Sequence, residues 1–163
     1  MFETVTLITG GTGFVGQKLV QNLDHSGIGI RLISRKAHSN YESVVCDLKD
    51  ANVPESAMLG VDTVFHLAGF AHDLRDANQV SQLYRTVNVD ATVRLAELSV
   101  HYGVKRFIFV SSVKAGGSAI TGRCMTEEDQ GEPEGIYGKT KREAEIKLLE
   151  ISHQSSMHVS IVR

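Results

Sequence analysis

The stretch TVTLITGGTGFVGQKLVQNL, residues 4–23, passes from a short strand-like run through a glycine-rich turn into a helical pattern. Residues 4–9 are mostly apolar or β-branched, which is typical of a buried strand. From residue 14 to residue 27 the apolar side chains recur on one helical face. The stretch therefore predicts a strand, a tight turn and a helix, in that order.

The turn places Gly10, Gly13 and Gly16 at every third residue. In such a turn the first glycine permits the tight bend, the second lets backbone amides approach a pyrophosphate, and the third lets the helix pack closely on the strand. The helix then presents its unpaired amides and positive dipole end to the phosphates. A glycine-rich loop without a ligand is the alternative, but the flanking strand and helix favour a nucleotide-binding site.

The remainder of the chain alternates between strand-like and helix-like segments. Apolar strands that are each followed by a helix are typical of a mostly parallel sheet covered on two sides. We therefore predict an α/β, doubly wound domain over residues 1–163, with its ligand at the carboxyl ends of the strands. The further predicted strands are residues 29–34, 43–46, 62–68, 106–112 and 157–163, and the further predicted helices are Val80–Tyr102 and Tyr137–His153.

Composition narrows the classes of partner. The net charge of −2, without a separate lysine or arginine block, argues against nucleic acid or an anionic membrane as a partner. Cys46 and Cys124 lie outside any metal-ligand spacing, which favours free thiols in a reducing compartment and no metal site. Because the sequence shows neither a secretory leader pattern nor an apolar window of membrane-spanning length, we expect a cytoplasmic protein.

Six motifs follow one another in an order that is known from one enzyme family. They are TGGTGFVG at residues 9–16, CDL at 46–48, VFHLAG at 64–69, NVDAT at 88–92, FVSSVKA at 109–115 and YGKTK at 137–141. With these motifs, which span almost the whole chain, the sequence resembles the extended short-chain dehydrogenase/reductases, the NAD(P)-dependent nucleotide-sugar epimerase/dehydratase family. The HLAG and SSVKA segments resemble nucleotide-sugar 4-epimerases and 4-ketoreductases. The resemblance implies an NAD(P)-binding Rossmann domain and an enzyme that transfers hydride.

The resemblance implies a catalytic triad of Ser112, Tyr137 and Lys141, with Ser111 as the second choice for the serine. Tyr137 would exchange a proton with the sugar hydroxyl or ketone, Ser112 would hydrogen-bond the same oxygen, and Lys141 would bind the nicotinamide ribose. Helical spacing supports the pairing, because residues i and i+4 lie on the same face. We also expect the nearby ammonium to lower the pKa of the phenol.

The resemblance further implies cofactor contacts along one edge of the sheet. Beyond Tyr137 and Lys141 they are Gly10, Gly13, Phe14, Val15, Gly16, Ser34, Arg35, Asp47, Leu48, Leu67, Ala68, Gly69 and Asn88. Asp47 would meet the adenine ring, and Asn88 has an exposed helix position as its alternative. His66 is expected to be a packed core histidine. His72 and Asp73 would lie near the nicotinamide in this fold, but on the sequence alone plain loop residues are the favoured interpretation.

The end of the second predicted strand bears on the choice of nicotinamide cofactor. NAD enzymes normally keep an acidic residue there for the adenosine ribose, whereas this chain has Ser34. Arg35 and Lys36 follow, and such cations pair with a 2′-phosphate. We therefore favour NADP over NAD. The alternative is that these cations belong to an ordinary solvated loop.

Two departures from the family pattern leave the activity open. Gly116 and Gly117 stand where many sugar-nucleotide members carry tyrosine and glycine, and the chain stops at Arg163, where a substrate domain would follow. We expect either a fragment of a longer enzyme or a short dinucleotide-binding domain. The favoured function is a 4-epimerase or 4-ketoreductase that acts on a nucleotide sugar. The resemblance implies a UDP-linked sugar and a homodimer through the two long helices. A reductase of another small ketone or steroid, and a sensor or scaffold without catalysis, are the alternatives.

Overall fold

The computed structural model describes residues 4–50, 52–71, 77–118 and 121–163, so His72 and Asp73 lie outside the described residues. Within these ranges one parallel sheet has six strands in the order β3-β2-β1-β4-β5-β6. The strands are β1 Val5–Thr9, β2 Gly29–Ser34, β3 Glu42–Val45, β4 Val61–His66, β5 Arg106–Val110 and β6 His158–Val162. This order belongs to the doubly wound fold, and the predicted fold class is confirmed.

Helices connect the strands. They are α1 Phe14–His25, α2 Ala77–Arg85, α3 Ala91–His101, the short α4 Val113–Gly116 and α5 Gly135–His153, with a π-helical turn at Thr86–Asp90 and 3₁₀ turns at Leu48–Asp50 and Glu55–Met58. None of the helices in the described ranges is long and apolar enough to cross a membrane.

Successive side chains of each strand point to opposite faces of the sheet. Helices cover both faces, so both are buried. Leu7 faces the larger core, where Leu95 of α3 and Leu148 of α5 cover the sheet. Its neighbour Ile8 faces the smaller core, which Val20 of α1 closes. The central strands therefore read as continuous apolar runs rather than alternating ones.

The structure ends some elements earlier than predicted and divides one. The single helix that was predicted for Val80–Tyr102 is interrupted by the π-helical turn, where one extra residue enters the helix. The strand that was predicted for residues 106–112 ends at Val110, and the side chains of Ser111 and Ser112 make separate hydrogen bonds beyond it.

The site edge of the sheet lies between β1 and β4. Thr9, the last residue of β1, pairs with Ile33 of β2 on one side and with His66 of β4 on the other. The chain leaves β1 toward one face of the sheet and β4 toward the other, so the carboxyl ends of these strands border a crevice.

Candidate active site

The glycine turn brings backbone into contact with backbone. Gly10 has a φ of +72°, and a Cβ there would lie 2.7 Å from the Ala68 nitrogen of the loop after β4. A Cβ at Gly16 would overlap the Gly10 carbonyl oxygen, and one at Gly13 would lie 3.2 Å from that oxygen. Side chains at these positions would separate α1 from the turn. The first turn of α1, with Phe14 and Val15, therefore stays close to β1 and can face a pyrophosphate.

An open groove of about 440 Å³ runs along the carboxyl ends of β1, β2 and β4. Its lining includes nine of the predicted cofactor residues, namely Gly10, Gly13, Ser34, Arg35, Asp47, Leu48, Leu67, Ala68 and Gly69. Phe14, Val15, Gly16, Asn88, Tyr137 and Lys141 are not among its lining residues. Sequence reasoning did not include Thr12, Ile33, Cys46, Lys49, Phe70, Ala71 and Val87, which also line the groove.

One end of the groove is formed by the segments after β2 and β3. Asp47 accepts a hydrogen bond from the Lys49 backbone nitrogen at 3.0 Å, which orders the turn that follows β3. The Ser34 hydroxyl donates to the Lys36 carbonyl at 2.5 Å and holds the loop that carries the exposed Arg35. The groove therefore has a carboxylate from the end of β3 and a cation from the end of β2.

Asn88 is a buried residue of the π-helical turn and joins the loop after β4 to α5. Its Oδ1 accepts a hydrogen bond from the Phe70 nitrogen at 2.7 Å, and its Nδ2 donates to the Phe70 carbonyl at 3.0 Å. The same Nδ2 donates to Thr140 Oγ1 at 3.1 Å. With 1% exposure, Asn88 is not an exposed helix residue, which corrects that alternative. It is positioned to hold the loop rather than to reach into the groove.

The two serines after β5 have different surroundings. Ser111 is buried, and its hydroxyl donates a very short hydrogen bond to the Glu145 carboxylate of α5. Ser112 caps α4, accepting from the Lys114 backbone nitrogen at 3.3 Å, and its hydroxyl lies close enough to the Tyr137 phenol to lower the pKa of that group. Of the two, only Ser112 shares its surroundings with Tyr137.

Tyr137 lies in the first turn of α5 and is half-buried. Burial raises the pKa of its phenol, the hydrogen bond from Ser112 opposes that rise, and the nearby Tyr84 adds to it. This direction is opposite to the one expected from the sequence. The reason is that burial outweighs the effect of Ser112, while the Lys141 ammonium contacts β5, as described next.

Lys141 is 2% exposed, and its ammonium turns toward β5. Nζ donates to the Val110 carbonyl at 2.8 Å and lies 4.3 Å from the centre of the Phe109 ring. Burial lowers the pKa of Lys141 to about 8, and Glu145 opposes that shift. Nζ also lies 3.5 Å from where a Cβ on Gly69 would be, so the ammonium borders the groove at that glycine.

Gly116 and Gly117, which stand where many family members carry tyrosine and glycine, lie where two segments of the chain pack closely. Gly117 has a φ of +93°, and a Cβ there would lie 2.8 Å from the Glu132 carbonyl oxygen. Gly116 accepts a hydrogen bond from the Gly131 nitrogen at 2.8 Å, so the segment after α4 packs directly on the segment before α5. A side chain at Gly117 would push these two segments apart, whereas a Cβ at Gly116 would first meet the Arg163 guanidinium, at 3.1 Å.

A family model described as the NAD dependent epimerase/dehydratase family matches residues 6–163. The chain belongs to this family. Its curated relatives include a UDP-glucose 4-epimerase of Vibrio cholerae, 37% identical over 163 residues, which cover 96% of this chain and 50% of the relative. A 3 beta-hydroxysteroid dehydrogenase/Delta 5→4-isomerase of Mycobacterium tuberculosis is 36% identical over 150 residues, 85% of this chain and 40% of the relative.

A solved structure of MoeE5 in complex with UDP-glucuronic acid and NAD superposes with a TM-score of 0.85 at 31% identity. The match covers 97% of this chain and 53% of that one. This epimerase/dehydratase family member thus spans about half the length of the curated relatives it matches. The predicted family is confirmed.

Sequence reasoning missed one buried carboxylate of this family member. Glu145 lies one turn beyond Lys141 and is 2% exposed. Its carboxylate accepts hydrogen bonds from Nε of Arg163 at 3.0 Å and from Nη2 of Arg163 at 2.5 Å. Its only signal in the sequence is its place on the same helical face as Tyr137 and Lys141. In the described ranges no group of three or more His, Cys, Asp or Glu side chains is placed to hold a metal ion.

Proposed function

We propose that this chain is the cofactor-binding part of an enzyme that acts at C4 of a nucleotide sugar, as a 4-epimerase or a 4-ketoreductase. The observation that carries the proposal is the placement of Ser112 beside Tyr137, one helical turn from the buried Lys141 that borders the groove at Gly69. The similarity to a UDP-glucose 4-epimerase and to a structure with bound UDP-glucuronic acid supports UDP as the nucleotide.

The residues present fit a dinucleotide, because the three turn glycines let the start of α1 and the loop after β4 pack against the turn, where side chains would meet backbone atoms. Asp47 and Leu48 would hold the adenine end, and the start of α1, at Phe14 and Val15, would hold the pyrophosphate. Leu67, Ala68 and Gly69 would flank the nicotinamide, and Lys141 would bind its ribose. When bound, the nicotinamide supplies the acceptor or donor of the hydride that leaves or enters the sugar carbon.

Tyr137 is the proposed acid and base. As a phenolate it takes the proton of the C4 hydroxyl while C4 loses its hydrogen with the electron pair, and as a phenol it returns a proton when the ketone is reduced. Ser112 hydrogen-bonds the same oxygen and keeps it beside the phenol. Because burial raises the pKa of Tyr137 in this structure, the phenolate needs a positive charge at the site, and Lys141 is the residue proposed to supply it.

The test uses the full-length protein expressed from its own gene, with UDP-glucose and UDP-N-acetylglucosamine as substrates. An epimerase converts the C4 configuration of these sugars with no net cofactor consumption, whereas a ketoreductase consumes one NADH or NADPH for each molecule of a UDP-4-keto sugar that is supplied and reduced. We expect Tyr137→Phe to lower turnover by about 10²–10⁴-fold, because it removes the proton donor and acceptor.

Tyr102→Phe is the matched control, since that phenol lies at the end of α3 and donates to Glu55. Cofactor affinity should stay within about twofold in both variants, because neither removes the groove. Near-normal turnover in Tyr137→Phe would disprove the catalytic role.

The preference for NADP is a separate proposal. It is supported by the absence of an acidic residue at the end of β2, where Ser34 and the exposed Arg35 stand. The solved relative with 31% identity holds NAD, so the choice needs a direct titration with NADH and NADPH. Tighter binding of NADH would overturn the preference.

A second candidate function is oxidation of a 3β-hydroxysteroid, which the 36% identity to a dehydrogenase of that class favours. The same Tyr137 and Ser112 would act on a ring hydroxyl instead of a sugar hydroxyl. Oxidation of a 3β-hydroxysteroid by the full-length protein, without any change in the UDP-sugars, would replace the first candidate with this one.

We further propose a homodimer through α3 and α5, in the cytoplasm. Ile146 and Leu149 are exposed apolar residues on α5, and both Cys46 and Cys124 are free thiols, which suits a reducing compartment. Light scattering of the full-length protein tests the dimer, and Ile146→Glu should shift it to the monomer mass.

A further inference from the structure

Beneath the candidate site, a buried chain of hydrogen bonds links the carboxyl ends of β1 and β4 to the start of α3. His66, the last residue of β4, is fully buried, and both of its ring nitrogens have hydroxyl partners. Nδ1 lies 2.6 Å from Thr9 Oγ1, and Nε2 lies 2.8 Å from Thr92 Oγ1. The histidine therefore joins the end of β1 to the start of α3.

The neighbouring hydrogen bonds show which group donates and which accepts at each step of this chain of hydrogen bonds. The Thr92 hydroxyl donates its one hydrogen to the Asn88 carbonyl at 2.9 Å, so it accepts from Nε2–H of His66. Nδ1 then carries no hydrogen and accepts from the Thr9 hydroxyl. Burial, with Lys141 next, lowers the pKa of His66 to about 3, which keeps the ring neutral near pH 7.

The loop Leu67–Ala71 is held at Ala68 and at Phe70, and both attachments connect to this chain of hydrogen bonds. The Ala68 nitrogen donates to Thr9 Oγ1 at 3.1 Å, and Phe70 is held through its nitrogen and carbonyl by the Asn88 side chain. The His66 ring also stacks on Phe109 at 5.7 Å, the ring over which the Lys141 ammonium lies. One histidine thus connects the two ends of a groove loop with the aromatic platform of the candidate catalytic lysine.

We infer that His66 is a positioning residue that fixes the loop Leu67–Ala71 for dinucleotide binding, acting through Thr9 and Thr92. The inference rests on the proposed function in one respect, namely that this loop flanks a bound nicotinamide. His66 does not itself line the groove. Its contribution is the fixed geometry of Ala68 and Phe70, which would otherwise need to be ordered when the cofactor binds.

The test compares Thr92→Val with Thr92→Ser in the full-length protein. Valine keeps the shape of the threonine but removes the acceptor for His66 and the donor to the Asn88 carbonyl, whereas serine keeps the hydroxyl. The matched control is Thr63→Val on β4, which removes a hydroxyl whose partners are Asp62 and Arg106, outside this chain of bonds.

Two quantities are measured, namely the dissociation constants of NADH and NADPH by fluorescence titration and the hydrogen–deuterium exchange of the peptide that contains residues 67–71. We expect Thr92→Val to weaken binding of the preferred cofactor about fivefold to tenfold, as the loss of one buried hydrogen bond allows, and to speed exchange in that peptide. Thr92→Ser and Thr63→Val should stay within about twofold of the natural protein.

Equal behaviour of Thr92→Val and Thr63→Val in either measurement would show that the chain of bonds only fills the core, and would overturn the inference. If Thr92→Val does not fold, the pair Thr9→Val and Thr9→Ser makes the same comparison at the other side of the ring. If the natural protein binds neither NADH nor NADPH, the proposed function fails, whereas the exchange measurement still decides whether His66 and its threonines hold the loop.

Discussion

Replacing Lys141 by methionine should make the protein more stable at pH 7 and less stable near pH 10. The lysine is 2% exposed, and burial lowers its pKa from 10.5 to about 8. Its charged form is therefore disfavoured in the folded state. Methionine has a similar length and no charge to desolvate, so the variant isolates the cost of burying the ammonium.

The displacement of the pKa from 10.5 to about 8 corresponds to roughly 3 kcal/mol that the buried ammonium costs below pH 8. The variant also loses the hydrogen bond to the Val110 carbonyl and the contact with the Phe109 ring, together about 1.5–2 kcal/mol. We therefore expect Lys141→Met to be about 1–2 kcal/mol more stable at pH 7.

The sign of the pH dependence follows from proton binding. Between pH 8 and 10.5 the unfolded chain holds the lysine proton more tightly than the folded chain, so the stability of the natural protein rises with pH in this window. Below pH 8 both states are protonated and the full cost is present. The advantage of Lys141→Met should therefore shrink above pH 8 and reverse near pH 10.

The assay is the thermal unfolding midpoint of the full-length protein at several pH values from 6 to 10. Lys139→Met is the control, because Lys139 is an exposed lysine on the same helix. The difference between Lys141→Met and the natural protein should cross zero within this range, whereas the difference for Lys139→Met should stay flat. A Lys141→Met variant that is less stable at pH 7, or a difference that does not depend on pH, would refute the reasoning.

Three further outcomes test the site. Ser112→Ala should lower turnover about 10²–10³-fold, because the hydrogen bond to the reacting oxygen is lost. Ser111→Ala should mainly lower the free energy of unfolding, by about 1.5–3 kcal/mol, because the Ser111 hydroxyl donates to the buried Glu145 carboxylate. Measuring turnover and unfolding of both variants separates the two roles. Gly16→Ala should abolish measurable dinucleotide binding in a titration, because its Cβ would overlap the Gly10 carbonyl oxygen. Arg35→Asp should weaken NADPH binding at least tenfold and leave NADH binding within about threefold, and equal losses for both cofactors would contradict a 2′-phosphate contact.

The sequence was sufficient for the fold because its signals are local. Residues 4–9 and 29–34 are short apolar runs bounded by glycine or polar residues, and they became β1 and β2 with almost the predicted bounds. The glycine spacing from Gly10 to Gly16 encodes a close backbone approach that no side chain permits, and the structure shows that approach directly.

The π-helical turn was outside the reach of pattern reading. Val87 continues the apolar stripe of a plain helix, so the apolar pattern of residues 86–90 does not signal an extra residue in the turn. The turn is recognisable only from its hydrogen bonds, which depend on the contacts of Asn88 with Phe70 and Thr140 far along the chain. A polar residue within a buried stripe was the one available hint.

The direction of the Tyr137 pKa shows a second limit. Helical spacing correctly places Tyr137 and Lys141 on one face, but spacing does not say where a long side chain ends. The Lys141 ammonium finds the Val110 carbonyl and the Phe109 ring on β5, which are long-range partners. In this structure the ammonium therefore contacts the sheet, and burial sets the direction of the Tyr137 pKa.

The buried polar residues beneath the candidate site need hydrogen-bond partners inside the protein. A parallel sheet that is buried on both faces leaves no water for Thr9, His66 and Thr92, so each must find a partner inside the protein. Among the described residues, every buried side-chain nitrogen or oxygen has such a partner. Because unpaired groups would be costly there, these bonds tolerate few alternative arrangements and hold the carboxyl ends of β1 and β4 in one geometry. The groove loop that follows β4 is consequently ordered by the interior of the protein rather than by its own sequence.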